Sequence, residues 1–456
     1  MKEAEGVKEA NSNGATCVPA EESPGGSGAA AHKDWSVHKT AEGHTYYYHH
    51  PTKRSTWSMP HELRAGYGEQ EELEAEDLQR YAEEQGFDPW EDEQYFGSYA
   101  DLQLQEGMTK DKPRSEGYLQ AMLQHPSDFV NKVVLDVGCG TGLLSFFAAR
   151  AGAKKVYAVE GSPLAHFTKQ TVTENGLDEV ISVIHGKIED VVLPEKVDVL
   201  VSEWMGSLLV FESMIESVLY ARDKWLKPDG VMYPSKAIMW ISPIEQKELW
   251  HSKVNYWKDV YGVNMSAMIE YAKQCNFAKP LFDRTVAPED LLLTSIDDAI
   301  QLASFDMATL SVQDLEVFLC LIRFLLYFLM AFLMQEISTN FTIRVPSKRC
   351  LHGFVAWFDV VFDSGNTEEH SILLSTSPYH APTHWRQELF IMDEEIQLNE
   401  SEATLSGTFT ITRNAYWRRH FNIDISFSLS TVEDGTEERS YKSFPRWRQK
   451  TDVHSS

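Results

Sequence analysis

The sequence predicts an α/β chain: a parallel sheet flanked by helices, then an antiparallel β domain, with a small all-β module in front. Three observations carry that expectation. Short apolar runs alternate with helical patterning between Lys132 and Glu203. Beyond about Pro234 the pattern changes to β-rich runs such as Leu351–Phe362 and Ala403–Arg413. Near the N-terminus, Trp35 and Trp57 bracket an island dense in tyrosine.

Residues 1–31 are rich in Gly, Ala, Ser and Glu and hold almost no large apolar side chains, so a disordered tail is expected. The aromatic island follows at 32–61, and then a stretch at 62–94, acidic from Glu69 to Glu93, that reads as a linker. Lys132–Val137 is expected as a buried strand, Leu143–Ala151 as a helix and Lys155–Glu160 as a strand. Leu164–Asn175 continues as a helix and Val197–Glu203 as a strand, which gives one α/β domain over 95–234 and a β domain over 235–456. One segment fits neither. Val317–Met334 is almost wholly apolar and holds Arg323 at its centre. Its length suits a membrane span, a central Arg costs about 2.5–3.5 kcal/mol there, and buried core is the alternative.

Apolar residues make up 43% of the 456 and charged residues 24%, the profile of a soluble globular chain of more than one domain. The formal net charge of −27 disfavours nucleic acid and anionic membrane as partners and favours basic peptides, although acidity often serves solubility alone. The five cysteines are scattered, and no pair has metal-ligand spacing. Neither a disulfide framework nor a metal site is expected. The polar N-terminus carries no export signal and there is no plain basic import cluster, so nucleus and cytoplasm are both open.

Val133–Val137 runs into Gly138-Cys139-Gly140-Thr141-Gly142, a strand followed by a glycine-rich turn and a helix. Glycines let the chain turn tightly and let a ligand approach the backbone. Glu160 closes the second strand, where a carboxylate accepts from ribose hydroxyls. The Lys-Ser/Thr of a P-loop is missing, which disfavours a nucleoside triphosphate. Asp136 just before the turn suits a cationic, phosphate-free ligand such as S-adenosylmethionine better than a pyrophosphate. A methyltransferase is the leading reading and a dinucleotide enzyme the other.

Ser202-Glu203-Trp204-Met205-Gly206 and Phe211-Glu212-Ser213 set two carboxylates at the C-terminal edge of a strand, where ligands bind in such folds. A hairpin between them would bring both onto one group. A guanidinium calls for paired acceptors of this kind. Arginine is a poor nucleophile because its charge is delocalised, and two fixed carboxylates would draw that charge away from one nitrogen. The plainer alternative is two solvated acids, against which Trp204, Met205 and Phe211 argue, being costly to expose.

From about Tyr95 to Arg448 the chain resembles the protein arginine methyltransferases. The resemblance rests on Tyr95-Phe96-Gly97-Ser98-Tyr99, the glycine turn, the Ser202–Glu212 segment, Tyr220-Ala221-Arg222-Asp223 and Thr383-His384-Trp385, with Arg413–His420 and Phe444–Arg448 beyond. It implies a Rossmann-like seven-stranded methyltransferase domain using S-adenosylmethionine, an antiparallel β-barrel, and a helical dimerisation arm near 250–272 that makes a homodimer. By resemblance Glu203 and Glu212 clamp the substrate guanidinium, and His384, paired with Asp111, assists proton removal. The cofactor would meet Arg114, Asp136, Gly138, Cys139, Gly140, Gly142, Glu160, Glu189, Met108 and Gln105. Tyr95, Tyr99, Met205 and Trp385 would line the substrate side. Met108 resembles a methionine of enzymes that make asymmetric dimethylarginine, the type I product. The implied substrates are histone tails and Arg/Gly-rich proteins, in transcriptional coregulation.

Three departures stand out. Gln105 sits where many members have a histidine, Ser115 replaces a threonine, and the apolar block at 317–337 resembles an insertion between two barrel strands, as from a retained intron or unusual splicing. The rival reading is a binding protein with little catalysis. The island at 32–61 resembles a WW domain, in which Tyr46, Tyr48, His50, Ser55 and Trp57 would grip a proline-rich ligand while Trp35, Tyr47 and Pro60 form the core.

Overall fold

A computed structural model describes residues 35–39, 45–50, 54–56, 89–282, 284–311, 336–366, 370–398, 403–413, 419–431, 437–441 and 447–448. The chain divides into two compact units, Met1–Gly86 and Phe87–Ser456. In the first, strands β1 (Trp35–Lys39), β2 (Thr45–His49) and β3 (Arg54–Thr56) form one antiparallel sheet in that order. Tyr48 pairs with Ser36 on one side and Ser55 on the other, and Tyr46 pairs with His38. Directly paired positions share a face, as do alternate positions of a strand, so 46, 48 and 55 lie on one side of the sheet. His50 is exposed beyond the end of β2. Trp57 and Pro60 lie outside the described residues.

The second unit opens with helices α1 (Pro89–Tyr99), α2 (Leu102–Lys110) and α3 (Lys112–Gln124), and the short α4 (Pro126–Phe129). Helix α1 crosses the boundary expected at 94/95, so the folded unit begins inside the stretch read as linker. Its hold is specific: Asp92 pairs with Lys187 and with Arg419. The acidic run is held by basic partners remote in sequence rather than left solvated at this point.

Five parallel strands follow: β4 (Val133–Val137), β5 (Lys155–Glu160), β6 (Ile181–His185), β7 (Val197–Val201) and β8 (Leu226–Tyr233), ordered β6-β5-β4-β7-β8. Helices α5 (Leu143–Arg150), α6 (Ala165–Glu174) and α7 (Met214–Trp225) connect them. Every residue of β4 is buried, as its unbroken apolar run requires for a strand covered on both faces. The seven strands expected from the resemblance are five in this sheet. After β8 the chain passes Tyr233-Pro234 and its next strand, β9 (Lys236–Ile244), pairs with the β domain instead.

Among the described residues that domain holds two five-stranded antiparallel sheets. One holds β9, β10 (Ile300–Asp306), β12 (Cys350–Phe362), β13 (Ile372–Ser375) and β14 (Glu388–Gln397). The other holds β11 (Glu336–Val345), β15 (Ala403–Arg413), β16 (Phe421–Thr431), β17 (Glu437–Tyr441) and β18 (Trp447–Arg448). Thr339 Oγ1 donates to Leu302 O at 2.6 Å and so ties β11 to β10 across the gap between sheets. Phe354 meets Phe341 and Phe427 edge-on in the shared core. The expected barrel is thus built as two sheets around one core.

Strand β12 is buried on both faces. Phe354, Ala356, Phe358, Val360 and Phe362 point into that core, while Val355 and Trp357 join an outer cluster with Leu249, Trp250 and Phe277. Leu249 and Trp250 belong to α8 (Lys247–Lys253), and Phe277 ends α9 (Ile269–Phe277), the two helices at the ends of the expected arm. Between them Tyr256, Tyr261 and Val263 are exposed apolar side chains, Tyr261 by 98%. Of the apolar block at 317–337, residues 317–335 lie outside the described residues, and 336–337 begin β11. Among the described residues no helix is long and apolar enough to cross a membrane.

Candidate active site

A cavity of about 270 Å³ opens at the C-terminal edge of the parallel sheet, between the glycine turn, α1–α3, the Ser202–Glu212 segment and the β domain. Gly138, Gly140 and Gly142 all have positive φ, at 69°, 53° and 84°. Side chains there would be strained, and a Cβ on Gly138, 2.3 Å from Met214 Cε, would also displace that side chain. The turn therefore presents bare backbone to the cavity. Glu160 Oε2 accepts from Gly140 N at 2.7 Å and Oε1 from Ser162 N at 2.7 Å. Each carboxylate oxygen keeps a second lone pair, and Glu160 lines the cavity. Gln105, 3% exposed, donates from Nε2 to Tyr99 O at 2.8 Å and holds Oε1 where a Cβ on Gly140 would come within 2.9 Å of it. Glu189 lines the rim and accepts from Ser217 Oγ at 2.7 Å.

Two expected cofactor residues stand back from the cavity. Asp136 is 1% exposed and accepts from Ser145 Oγ at 2.6 Å, behind the turn, and burial pushes its carboxyl up to about 7. Among the described residues its Oδ1 has no hydrogen-bond partner. Gly142 shapes the turn, donating from N to Cys139 O at 2.8 Å, and precedes α5. A residue one step along a strand faces the opposite side, so sequence neighbourhood to a turn did not decide which groups a ligand meets.

The two carboxylates come together. Gly206 N donates to Leu209 O at 3.1 Å, closing a tight hairpin between Glu203 and Glu212. A Cβ on Gly206 would lie 2.1 Å from Phe211 O, so only glycine fits. Leu208, Leu209, Glu212 and Ser213 all take positive φ, a backbone cost that the surroundings must offset. Arg114 Nε and Nη2 both reach Glu203 Oε2 at 2.9 Å, and Tyr99 Oη donates to Glu212 Oε2 at 2.5 Å. In this state Arg114 serves Glu203, although the resemblance implied pairing with the cofactor. Burial pushes the Glu212 carboxyl above its ordinary range, opposed by the Tyr99 bond, and the Glu203 charge pushes it further. Burial and Glu212 push the Tyr99 hydroxyl well up, so it stays a donor.

His384 lines the cavity, and its Nδ1 and backbone N both lie 2.7 Å from Asp111 Oδ2. Asp111 itself does not line the cavity. It caps α3 through Arg114 N at 3.1 Å and acts through His384. Burial alone would raise its pKa, but the His384 bonds hold it below the ordinary carboxylate range. Trp385 Nε1 donates to Met205 O at 2.8 Å, and both residues line the cavity with Tyr95 and Met108.

Sequence reasoning missed Arg419. Its Nη1 donates to Glu212 O at 2.7 Å, its carbonyl accepts from Glu212 N at 2.9 Å, and its guanidinium stacks 3.8 Å from the Tyr95 ring. It reaches both backbone groups of Glu212 from the β domain, two residues ahead of β16. Only the motif Arg418-Arg419-His420 hinted at it. Phe96 was quoted merely as motif, yet it packs where a Cβ on Gly161 would come within 2.4 Å of its ring.

The turn, the carboxylates and the sheet-edge position fit a cationic adenosyl ligand. The comparisons agree. The Arginine methyltransferase oligomerization subdomain matches residues 235–432, the Ribosomal protein L11 methyltransferase (PrmA) model matches 117–237, and the WW domain matches 33–60. Protein arginine N-methyltransferase 2 of Homo sapiens is 41% identical over 363 residues, 79% of this chain and 78% of its own length. The chain belongs to the protein arginine N-methyltransferase family. Probable protein arginine N-methyltransferase 6 of Arabidopsis thaliana is 37% identical over 73% of this chain and 78% of its own length. The Trypanosoma brucei PRMT1 enzyme-prozyme heterotetrameric complex with AdoHcy superposes with a TM-score of 0.63 at 33% identity, covering 77% of this chain and 100% of that one. Protein arginine methyltransferase 10 of Arabidopsis thaliana, in an open conformation, gives 0.63 at 32% identity, over 77% of this chain and 99% of that one. The chain is thus an S-adenosylmethionine-dependent arginine methyltransferase with an N-terminal WW domain.

Proposed function

We propose that this methyltransferase makes monomethyl- and asymmetric dimethylarginine in histone tails and Arg/Gly-rich proteins. The observation that carries the reading is the hairpin that sets Glu203 and Glu212 together in the cavity against the glycine turn. Bound S-adenosylmethionine supplies an electrophilic methyl. Gly138–Gly140 and Glu160 would hold it by backbone and carboxylate. Glu203 and Glu212 take the guanidinium plane and draw its positive charge away from one terminal nitrogen, with Arg114 and Tyr99 fixing one oxygen of each. His384, oriented by Asp111 through Nδ1, keeps Nε2 to take a proton. Met108 in the cavity wall supports the asymmetric product.

The WW domain selects proline-rich partners, and the exposed arm around Tyr261 supports a homodimer. The −27 charge suits Arg-rich substrates rather than nucleic acid or membrane. Work in transcriptional coregulation, in nucleus and cytoplasm, completes the reading. The test is transfer of labelled methyl to an Arg/Gly-rich peptide and to histone, followed by product analysis. Asymmetric dimethylarginine from the parent chain, absent with Glu203→Gln, is expected. Symmetric product overturns the type I assignment, and no transfer by a folded, cofactor-binding chain favours a scaffold.

A further inference from the structure

Outside the cavity, Cys350, His352 and Glu395 bring three donor atoms together, all within 4.8 Å of one another. Positions 350 and 352 are alternate residues of β12 and share a face. Glu395 comes from β14 by an irregularity: Cys350 pairs with Gln397 and Leu351 with Ile396, but Gly353 already pairs with Ile391. His352 therefore stands opposite the looped stretch Met392–Glu395, a bulge of the kind that re-aims side chains. Gly353 permits the close approach, since a Cβ there would lie 2.0 Å from Phe390 O.

We propose that Cys350, His352 and Glu395 bind one divalent cation of the zinc class through Sγ, Nε2 and a carboxylate oxygen, with water as the fourth ligand. Zinc bonds of about 2.0–2.3 Å in a tetrahedron put neighbouring ligand atoms about 3.3–3.6 Å apart. Glu395 Oε2 lies 3.5 Å from His352 Nε2 and 3.8 Å from Cys350 Sγ. The first is long for a hydrogen bond yet close to a shared-metal spacing. Cys350 and His352 are 2% and 1% exposed, so their contacts are protected, while exposed Glu395 leaves the fourth position open to water. Gln397 Nε2 donates to Cys350 Sγ at 3.2 Å and so holds the side chain in place. Glu245 is no ligand: it already holds Arg349 Nε at 2.7 Å, Lys247 Nζ at 2.9 Å and Cys350 N at 2.6 Å.

Binding releases the thiol proton to solvent and moves the imidazole proton from Nε2 to Nδ1. Cys350 O, 3.2 Å from Nδ1, accepts it there, the arrangement that commonly orients a metal-bound histidine. Gln246 N, which donates to Nδ1 at 3.1 Å, gives up that bond. Gln246 is the N-cap residue of α8, so occupancy is coupled to the first helix of the arm.

The experiment titrates cobalt(II) chloride into the untagged, chelator-treated full chain and follows optical absorption. One equivalent with an intense thiolate-to-cobalt charge-transfer band is expected. Cys350→Ser removes the band, His352→Gln and Glu395→Gln weaken affinity about tenfold or more, and Cys275→Ser, at an exposed cysteine outside the cluster, changes nothing. No thiolate band from folded parent chain, or a band that survives in Cys350→Ser, overturns the proposal. Should Cys350→Ser fail to fold, exposed Glu395→Gln decides: unchanged cobalt affinity overturns it and a loss upholds it.

Discussion

The glycine turn and the carboxylate hairpin both bend the chain at the same edge of the parallel sheet, yet they are made in opposite ways. The turn places glycine wherever φ is positive, at 138, 140 and 142. The hairpin puts Leu208, Leu209, Glu212 and Ser213 into the same region of backbone space, where side chains cost of order 1–3 kcal/mol each. What offsets that cost comes from elsewhere: Arg419 grips Glu212 at both backbone groups, Trp385 holds Met205 O, and Tyr99 holds the carboxylate. The cofactor half of the site is local. The acceptor half is assembled by the β domain and α1, which brace the strained loop through Arg419, Trp385 and Tyr99.

The largest effect is expected at Gly206. Gly206→Ala drives a Cβ into the Phe211 carbonyl and should cost about 100-fold or more in kcat, with S-adenosylmethionine affinity, read by calorimetry, retained. Lost cofactor affinity would mean that the two halves are not separable.

Arg419→Ala removes the brace and the cation beside Glu212, leaving the carboxylate itself. A loss of about tenfold in kcat/KM is expected, on the scale of one or two charge-assisted hydrogen bonds, with cofactor affinity unchanged. The pH profile should also shift upward, because Arg419 opposes the raised pKa of Glu212. An unshifted profile with full activity would remove Arg419 from the site.

The smallest effect is expected at a buried acid that touches the hairpin. Glu388 of β14 is buried, its carboxyl hydrogen-bonds Ser207, and burial pushes its pKa up to about 8. The folded chain therefore binds more protons than the unfolded chain between the ordinary value of 4.5 and about 8. Its contribution is fully present below that window and is lost as pH rises through it. Glu388→Gln should raise thermal stability at pH about 8, by on the order of 1 kcal/mol or more, and flatten the decline from pH about 5. A steeper decline in the variant would show the carboxylate to be stabilising when charged.

Much of this was written in local pattern. The buried run Val133–Val137, the glycines and the closing Glu160 form a site from nearby residues, so periodicity and spacing suffice to read them. Asp136 shows the limit: it looked like a ligand by proximity to the turn, but strand alternation sent it to Ser145. Arg419 was legible only as part of a motif, because its partners Asp92, Tyr95 and Glu212 are remote in the chain. The cysteine count likewise found no metal spacing at Cys350, since the third donor arrives through a bulge in β14.

By itself the sequence determined the sheet, the cofactor turn, the identity of both carboxylates and the three-stranded N-terminal module. The sheet and the turn follow from short-range sterics and hydrophobic periodicity, which each segment carries within itself. The module and the carboxylate pair were read from motif residues and the family resemblance they carry. Tertiary structure alone decided that β9 leaves for the β domain, that Arg114 turns to Glu203, that α1 closes over the site, and that Arg419 braces Glu212. Those depend on which distant groups share one buried, low-dielectric space, where an unpaired charge or an unbraced strained turn is too costly to persist.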